Sequence, residues 1–354
     1  MKFYLMNLFF LTATYVLAPF FYLKIFIRKT KTRKLLAEKK YKILIFQTQR
    51  IGDMVCTTPV FSEIKNNFPD SHITVLGMGA ALGIVNANPH IDKIMGYNPF
   101  SILSFLKVYF KLYKSEFTHS INFFPSLVPN ILPFWLGVPE RICTKITAMK
   151  TTAKLLFLFI NHPLLYKKGD HAPNHHLKLL NFLNITNPNP KREIFVSNND
   201  LDTIENYFNG LNLNNSKNFI GISINCGKKF REWPREKFIS FINMLQAKHD
   251  VIIFFVGEKG DREDLERVRQ SVRSPETTFN MAGVFGIRSG ELALFKKFSV
   301  FIGVDTGPVY IADALGVPTI DIIGPSDSKI QSPQGKTVIL QGGQKEGVKP
   351  CAYV

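Results

Sequence analysis

Four short stretches set ionisable side chains on loops behind apolar runs. In "QTQRIGDMVCTTP", residues 47–59, Asp53 follows Arg50 and Gly52 where the β-forming run Ile43–Phe46 gives out. A lone carboxylate there can serve as a general base. It can equally cap the helix that follows; residue types alone leave both readings open. In "FIGVDTGPVYIADALGVPTIDIIGPSD", residues 301–327, a strand delivers Asp305, Thr306 and Gly307 to a helix start with Pro308 in its first turn. Unpaired amides and the helix dipole favour an anion at such a place, although Asp305 and Thr306 would also suit plain capping.

The third stretch, "NCGKKFREWPREKF" at 225–238, gathers Lys228, Lys229 and Arg231 ahead of a helix, with Trp233 expected on the inter-domain side. Cations here could neutralise a diphosphate leaving group or merely face solvent. The fourth, "VGEKGDREDLE" at 256–266, offers Glu258 and Asp261 just beyond a strand, where a carboxylate commonly meets ribose hydroxyls or favours a helix N-terminus. Three histidines in "GDHAPNHHLKLL", His171, His175 and His176, stand where the following residues read as a helix, so they read as a helix start and not as a metal site.

The elements required to hold these residues alternate. A strand at about 42–47 leads to a helix expected at 59–67, capped by Thr58 with Pro59 in its first turn. Strands in "HITVLG", "IDKIMGY" and "HSINFFP", with a helix over 101–115, continue a βαβ rhythm that implies a parallel sheet. "KLLFLFINHPLLYKK" reads as another helix of the same kind. The Asn- and Pro-rich stretch near 184–200 marks a connection, and the second half repeats the alternation through "FIGISIN", "DVIIFFVG", "SVFIGVDTG" and "TIDIIGP". The fold class expected is α/β, two Rossmann-like domains facing one cleft with ligands at the strand carboxyl ends. The boundaries expected are a membrane anchor at 1–27, a basic juxtamembrane linker at 28–40, a first domain at 41–185, a connection at 186–217 and a second domain at 218–354.

Taken together, these stretches resemble the ADP-heptose–lipopolysaccharide heptosyltransferases, the inverting glycosyltransferases of family 9, from about Lys42 onward. "RIGDMVCTTP", "REWPREKF" and above all "DTGPVYIADALGVPTIDIIGPSD" carry the resemblance. It implies the GT-B fold, with the acceptor bound mainly by the first domain and a nucleotide-sugar donor by the second. It implies Asp53 as general base, with Arg50 and Gly52 on its loop, and no cofactor or metal ion. Arg231 stands where the family usually has lysine two residues before "WP", on donor phosphate. Asp305, Thr306 and Gly307 match the donor-phosphate loop, Asp261 falls near the ribose-binding acid, and Lys228 and Glu258 flank them. Where the family commonly has histidine, this chain has Tyr310, which can donate a hydrogen bond but cannot become a cation near neutral pH. The chain stops at "KPCAYV", ahead of further cysteines and a helix that the family pattern contains.

Length and charge frame this reading. The 354 residues suffice for two cores, and a net charge of +17 points to an anionic partner. Four scattered cysteines, Cys56, Cys143, Cys226 and Cys351, show no metal spacing and read as reduced thiols. From Phe3 to Leu23 there are 21 residues without a charge, followed by nine Lys or Arg against Glu38 alone up to Lys42. A helix of that length spans about 30 Å, the thickness of a bilayer core. It is too long for a signal core and lacks a small-residue cleavage site. A spanning anchor and an interfacial helix kinked at Pro19 both remain open. Either holds the body at the cytoplasmic face of the inner membrane by the positive-inside rule, against anionic lipid. Once that basic cluster is set aside, little charge is left to argue for nucleic acid, so no nucleic-acid partner is expected. No G-x-G-x-x-G turn supports an oxidoreductase. The partners expected are a nucleotide-sugar donor, a lipid-linked glycan acceptor and the membrane surface. The rival reading is a degenerate GT-B protein that binds or scaffolds without transferring sugar.

Overall fold

The computed structural model describes residues 2–341 apart from 147–150, 168, 212, 214–217, 287–289 and 326. The terminal "KPCAYV", with Cys351, lies outside them. The chain forms two compact units, Met1–Pro190 and Lys191–Val354.

In the first unit, β1 (Lys42–Gln47), β2 (His72–Gly77), β3 (Lys93–Gly96), β4 (His119–Asn122), β5 (Glu140–Ile146) and β6 (His162–Tyr166) form one sheet. Their order is β3-β2-β1-β4-β5-β6, every pair parallel. Before them run α1 (Lys2–Val16) and α2 (Ala18–Ala37). Connecting or following them are α3 (Ile51–Asn67), α4 (Ile102–Leu112), α5 (Leu127–Leu136), α6 (Thr151–Leu156) and α7 (Ala172–Lys178). In the second unit α8 (Asn198–Gly210) precedes β7 (Asn218–Ser223), β8 (Val251–Phe255), β9 (Thr278–Asn280), β10 (Val300–Val304), β11 (Thr319–Ile323) and β12 (Thr337–Gln341). Here α9 (Arg235–Lys248), α10 (Arg262–Ser271), α11 (Glu291–Phe295) and α12 (Gly307–Ala314) make the crossovers. The order β12-β11-β10-β7-β8-β9, again parallel, repeats the first sheet's topology. In both sheets the winding reverses between the first strand and the fourth.

Several expectations need correction. The first crossover helix starts at Ile51, not at residue 59, and Pro59 lies inside it. The carbonyl that loses its partner to Pro59 belongs to Val55, and Thr58 Oγ1 donates to it at 2.8 Å, so the helix passes through the proline. Residues 154–167 are not one helix. After α6 the chain becomes β6, at the sheet edge, the place in a sheet where proline is tolerated. The stretch read as a connection holds the unit boundary and then α8, capped by Ser197 and anchored by buried Ile204 and Phe208. Trp233 is edge-on to Phe238 at 4.8 Å, a contact that does not test its expected inter-domain place.

In the N-terminal segment the structure differs from the single spanning helix and keeps the kink expected near Pro19. No single described helix is long and apolar enough to cross a membrane; α1 and α2 meet at a 63° bend, two residues before Pro19. Nor is 28–40 a linker, because α2 runs on to Ala37. The pair is docked on the first unit. Phe21, Ile25 and Thr32 recur at helical spacing and are buried, with Phe21 stacked on Trp135 at 5.2 Å and Phe10 against Phe105 at 4.4 Å. Trp135 Nε1 donates to Thr14 Oγ1 at 2.9 Å, Lys24 Nζ to Trp135 O at 3.0 Å, and Arg28 Nη1 to Leu136 O at 2.7 Å. Gly137, which ends α5 with φ +75°, leaves room for Lys24: a Cβ there would come 2.9 Å from its Cγ. Both helices thus share a core with Leu44 and Phe46 of β1. Phe21→Ala should cost about 3 kcal/mol or more of stability, the scale of a truncated core aromatic. Denaturant unfolding in mild detergent measures it, and an unchanged midpoint would mean that α2 is not docked.

Candidate active site

The candidate base stands on the first turn of α3, directly beyond β1. Gln47 ends that strand as a buried polar residue after four buried apolar ones. Its Nε2 donates to Thr57 Oγ1 at 2.6 Å and lies 3.3 Å from the Asp53 carbonyl. Thr57 Oγ1 in turn donates to the same carbonyl at 2.8 Å and meets His176 Nδ1 at 3.4 Å. The backbone that carries Asp53 is therefore clamped from the strand, the helix and α7. Asp53 Oδ2 accepts the Arg50 amide at 3.2 Å, so the carboxylate does cap the helix, as the plainer reading held. Burial nevertheless pushes its carboxyl above the usual carboxylate range, against the lowering effect of the Arg50 amide and charge. Gly52 is buried and Arg50 exposed. Capping and proton acceptance are compatible, since one oxygen can be held while the group stays poorly solvated.

Of the three histidines, His171 stands at the N-cap of α7, while His175 and His176 are buried. His175 Nε2 meets Thr144 Oγ1 at 3.1 Å, and burial pushes its ring down to about 4, so it stays neutral. Among the described residues no group of three or more His, Cys, Asp or Glu is placed to hold a metal ion.

The second unit places Arg231 and the Asp305–Gly307 turn at the carboxyl ends of the neighbouring strands β7 and β10, and Glu258 and Asp261 beyond β8, on the other side of β7. Thr306 is the N-cap of α12, yet its hydroxyl donates back to Val304 O at 3.0 Å and does not cap. Gly303 lets this helix sit close on β10, since a Cβ there would come 2.9 Å from Val309 Cγ2. Asp305 is buried, with Oδ1 accepting from the Tyr310 hydroxyl at 2.9 Å and Oδ2 3.7 Å from Arg231 Nη1. Arg231 comes from the helical turn Lys229–Arg231 after β7 and is itself buried. Tyr310 thus spends its proton within the protein, where the sequence expected a donor contact. Asp261 is engaged too: its Oδ2 accepts from the Glu258 amide at 2.8 Å and its Oδ1 from Asn225 Nδ2 at 2.7 Å. Asn225 Oδ1 accepts from Arg235 Nη2 at 2.7 Å. Glu258 and Lys228 are exposed.

Two residues escaped the sequence reading altogether. Arg192, in the stretch read as a connection, places its guanidinium 5.6 Å from the Tyr310 ring centroid and its Nη1 3.4 Å from Asp313 Oδ2. Asp321, inside β11, is fully buried, and among the described residues neither of its carboxyl oxygens has a hydrogen-bond partner. Burial, with Asp305 and Asp313 nearby, pushes it up to about 8, so it is neutral at pH 7. Tyr310→Phe removes the hydroxyl on buried Asp305 and should lower stability by about 1–3 kcal/mol. A melting temperature equal to that of the unaltered protein would show the bond to be idle.

Residues 107–353 match the family described as glycosyltransferase family 9 (heptosyltransferase). Lipopolysaccharide heptosyltransferase 3 of Escherichia coli K12 is 26% identical over 303 residues, 81% of this chain and 84% of that protein. Lipopolysaccharide core heptosyltransferase OpsX of Haemophilus influenzae is 22% identical over 329 residues, 90% of each chain. Among solved structures, a family 9 glycosyltransferase of Veillonella parvula superposes with a TM-score of 0.76 at 21% identity, over 85% of this chain and 86% of that one. ADP-heptose heptosyltransferase II of E. coli gives 0.73 at 16% identity, over 86% and 92%. The two parallel sheets are therefore those of the GT-B heptosyltransferase fold. With that fold and a family match over well more than half its length, the chain belongs to glycosyltransferase family 9 and is a glycosyltransferase.

Proposed function

We propose that the protein transfers a heptose from an ADP-linked donor to a lipid-linked glycan of the lipopolysaccharide core, with inversion and without a metal ion. The site of action is the cytoplasmic face of the inner membrane. The names of the curated relatives support the sugar and the acceptor. The observation that carries the chemistry is the placement of Asp53, Arg231 and the Asp305–Gly307 turn at the carboxyl ends of strands beside the winding reversal of each sheet. That is where open α/β sheets hold ligands.

In the reaction, Asp53 takes the proton of an acceptor hydroxyl as its oxygen bonds to the anomeric carbon. The bond from that carbon to the diphosphate breaks with its electron pair, leaving on the face opposite the attack. A carboxyl raised by burial is a stronger base than one in water, which suits proton removal near neutral pH. The diphosphate gains charge as it leaves. Amides at the start of α12 and the Arg231 guanidinium favour that charge, the service a divalent cation would otherwise give. Asp305 does not repel the anion strongly because Arg231 and the Tyr310 hydroxyl already offset its charge.

Asp53→Asn keeps the helix-capping oxygen and should lower turnover by about 10²-fold or more while donor binding persists. Because the folded-state carboxyl is raised, its ionisation opposes folding as pH climbs past the unfolded value, so the amide should match or exceed the parent's melting temperature at pH 7. The parent's rate should rise with pH through a midpoint above the ordinary carboxylate range. Retained turnover in the amide variant, measured with ADP-heptose and a truncated core acceptor, would remove Asp53 from the reaction. Arg231→Ala should weaken ADP binding about tenfold or more by calorimetry, the scale of a lost charge-assisted contact. Unchanged affinity would contradict the phosphate role.

A further inference from the structure

The chemistry leaves the bent helix pair unexplained, and its outward face is unlike an ordinary protein surface. Opposite the docked stripe, α2 presents Phe20, Leu23, Phe26 and Ile27 to the outside, with Phe26 74% exposed. Val16 and Leu17 at the bend are exposed as well. Neighbouring elements extend the patch. α4, packed on α1 through Phe105 and Phe10, exposes Leu103 at 79% and Phe110 at 63%. Leu158 is exposed just beyond α6, whose Leu155 carbonyl accepts from the Tyr15 hydroxyl at 3.2 Å. Exposed apolar side chains gathered on elements packed against one another mark an interaction site. Exposed cations border it: Lys29, Lys31, Arg33 and Lys34 follow the apolar turns of α2, and Lys107 and Lys111 interrupt α4.

We infer that the α1–α2 bend, with the outward faces of α4 and the end of α6, docks into one leaflet of an anionic phospholipid bilayer without crossing it. The N-terminus then stays on the same side as the catalytic body. This deepens the membrane half of the function proposed above and does not depend on its sugar chemistry.

Three observations favour one leaflet over a span. From Leu17 to Ile27 the apolar reach along α2 is about 15 Å at helical rise, half the ~30 Å hydrocarbon core. The bend aims the two arms in different directions, so their lengths do not add. The inward face is tied to the body by Thr14, Lys24 and Arg28 through Trp135 and backbone carbonyls, and drawing the pair into a bilayer would break those bonds and strip the core from Phe10, Phe21 and Ile25. Charge argues for lipid over a second copy of the chain. Anionic headgroups complement the basic border, whereas two such borders would face each other with like charge.

The test uses the full chain in cells and in vesicles. Green fluorescent protein fused ahead of Met1 should fluoresce and alkaline phosphatase at the same place should be inactive. Purified protein should float with phosphatidylethanolamine–phosphatidylglycerol vesicles. Phe20→Asp combined with Phe26→Asp, both at exposed positions, should weaken partitioning about a hundredfold, tenfold per aromatic side chain, while leaving the melting temperature unchanged. An active phosphatase fusion would overturn the single-leaflet arrangement and leave the membrane location standing. Failure of the unaltered protein to float would overturn both. A dimer broken by the same double substitution, without vesicle binding, would assign the patch to self-association instead.

Discussion

An all-parallel sheet must be covered on both faces, and that requirement governs where this protein can do chemistry. Its central strands β1, β7, β8 and β10 are buried almost from end to end, because crossover helices lie against both sides. Polar side chains with work to do are left the carboxyl ends of the strands, where the winding reversal parts the loops. Gln47 closes β1 just before Asp53. The turn holding Arg231 follows β7, and Asp305 follows β10, its neighbour. Each unit thus arrives at the same address by the same topology, although the residues delivered there differ in sign and duty.

Four carboxyl groups show how environment assigns those duties. Asp53 is desolvated, and its strongest compensation is a single amide, so its affinity for a proton rises. Asp305 is buried as well, with a guanidinium facing one oxygen and a phenol on the other, which suits it to hold Arg231 in place. Asp313 is spent on the amides of Gln334 and Gly335 at 3.0 and 2.6 Å, tying α12 to the approach of β12. Asp321 has no compensation and stays neutral. Were it ionised, a further negative charge would lie below the loop that is proposed to receive a diphosphate. Arginine in place of lysine at 231 fits this arrangement, since a planar fork can face a carboxylate and keep donors for a second anion.

Much of this was legible from residue order. The β-rich runs, the glycine-led turns and the Pro308–Gly316 limits of α12 respond to local rules, and each lies within a few residues of the expected place. Asp53, Arg231 and Asp305 were visible because they interrupt apolar runs at turns. What stayed hidden depends on contacts across the chain. Arg192 reaches Tyr310 and Asp313 more than a hundred residues away, and nothing in "NPKREIFV" announces that. Gln47 could have been noticed as the one polar side chain closing an apolar strand. The start of α3 was missed because Pro59 looked like a beginning, while Thr58 repairs the carbonyl that the proline abandons. Asp261 has the right place for a ribose ligand, yet its oxygens already serve the Glu258 amide and Asn225.

The N-terminal segment shows why composition alone does not separate a span from a docked helix. Both need about twenty apolar residues, and both tolerate a basic flank. The difference lies in what occupies the face turned from lipid. Here Phe21, Ile25, Arg28 and Thr32 form a stripe whose partners are side chains and carbonyls of α4 and α5, and Gly137 leaves the gap that Lys24 enters. A helix built only to cross a bilayer has no use for such a stripe. The consequence reaches the site, because α5 begins five residues after β4, the strand beside β1 at the winding reversal. With α2 seated on α5 and α5 following β4, the bend and the Asp53 turn belong to one compact unit. In the membrane arrangement proposed here, seating the bend in a leaflet therefore also sets the tilt of the β1 and β4 ends to the bilayer, so that a lipid-linked acceptor meets Asp53 from a constant direction.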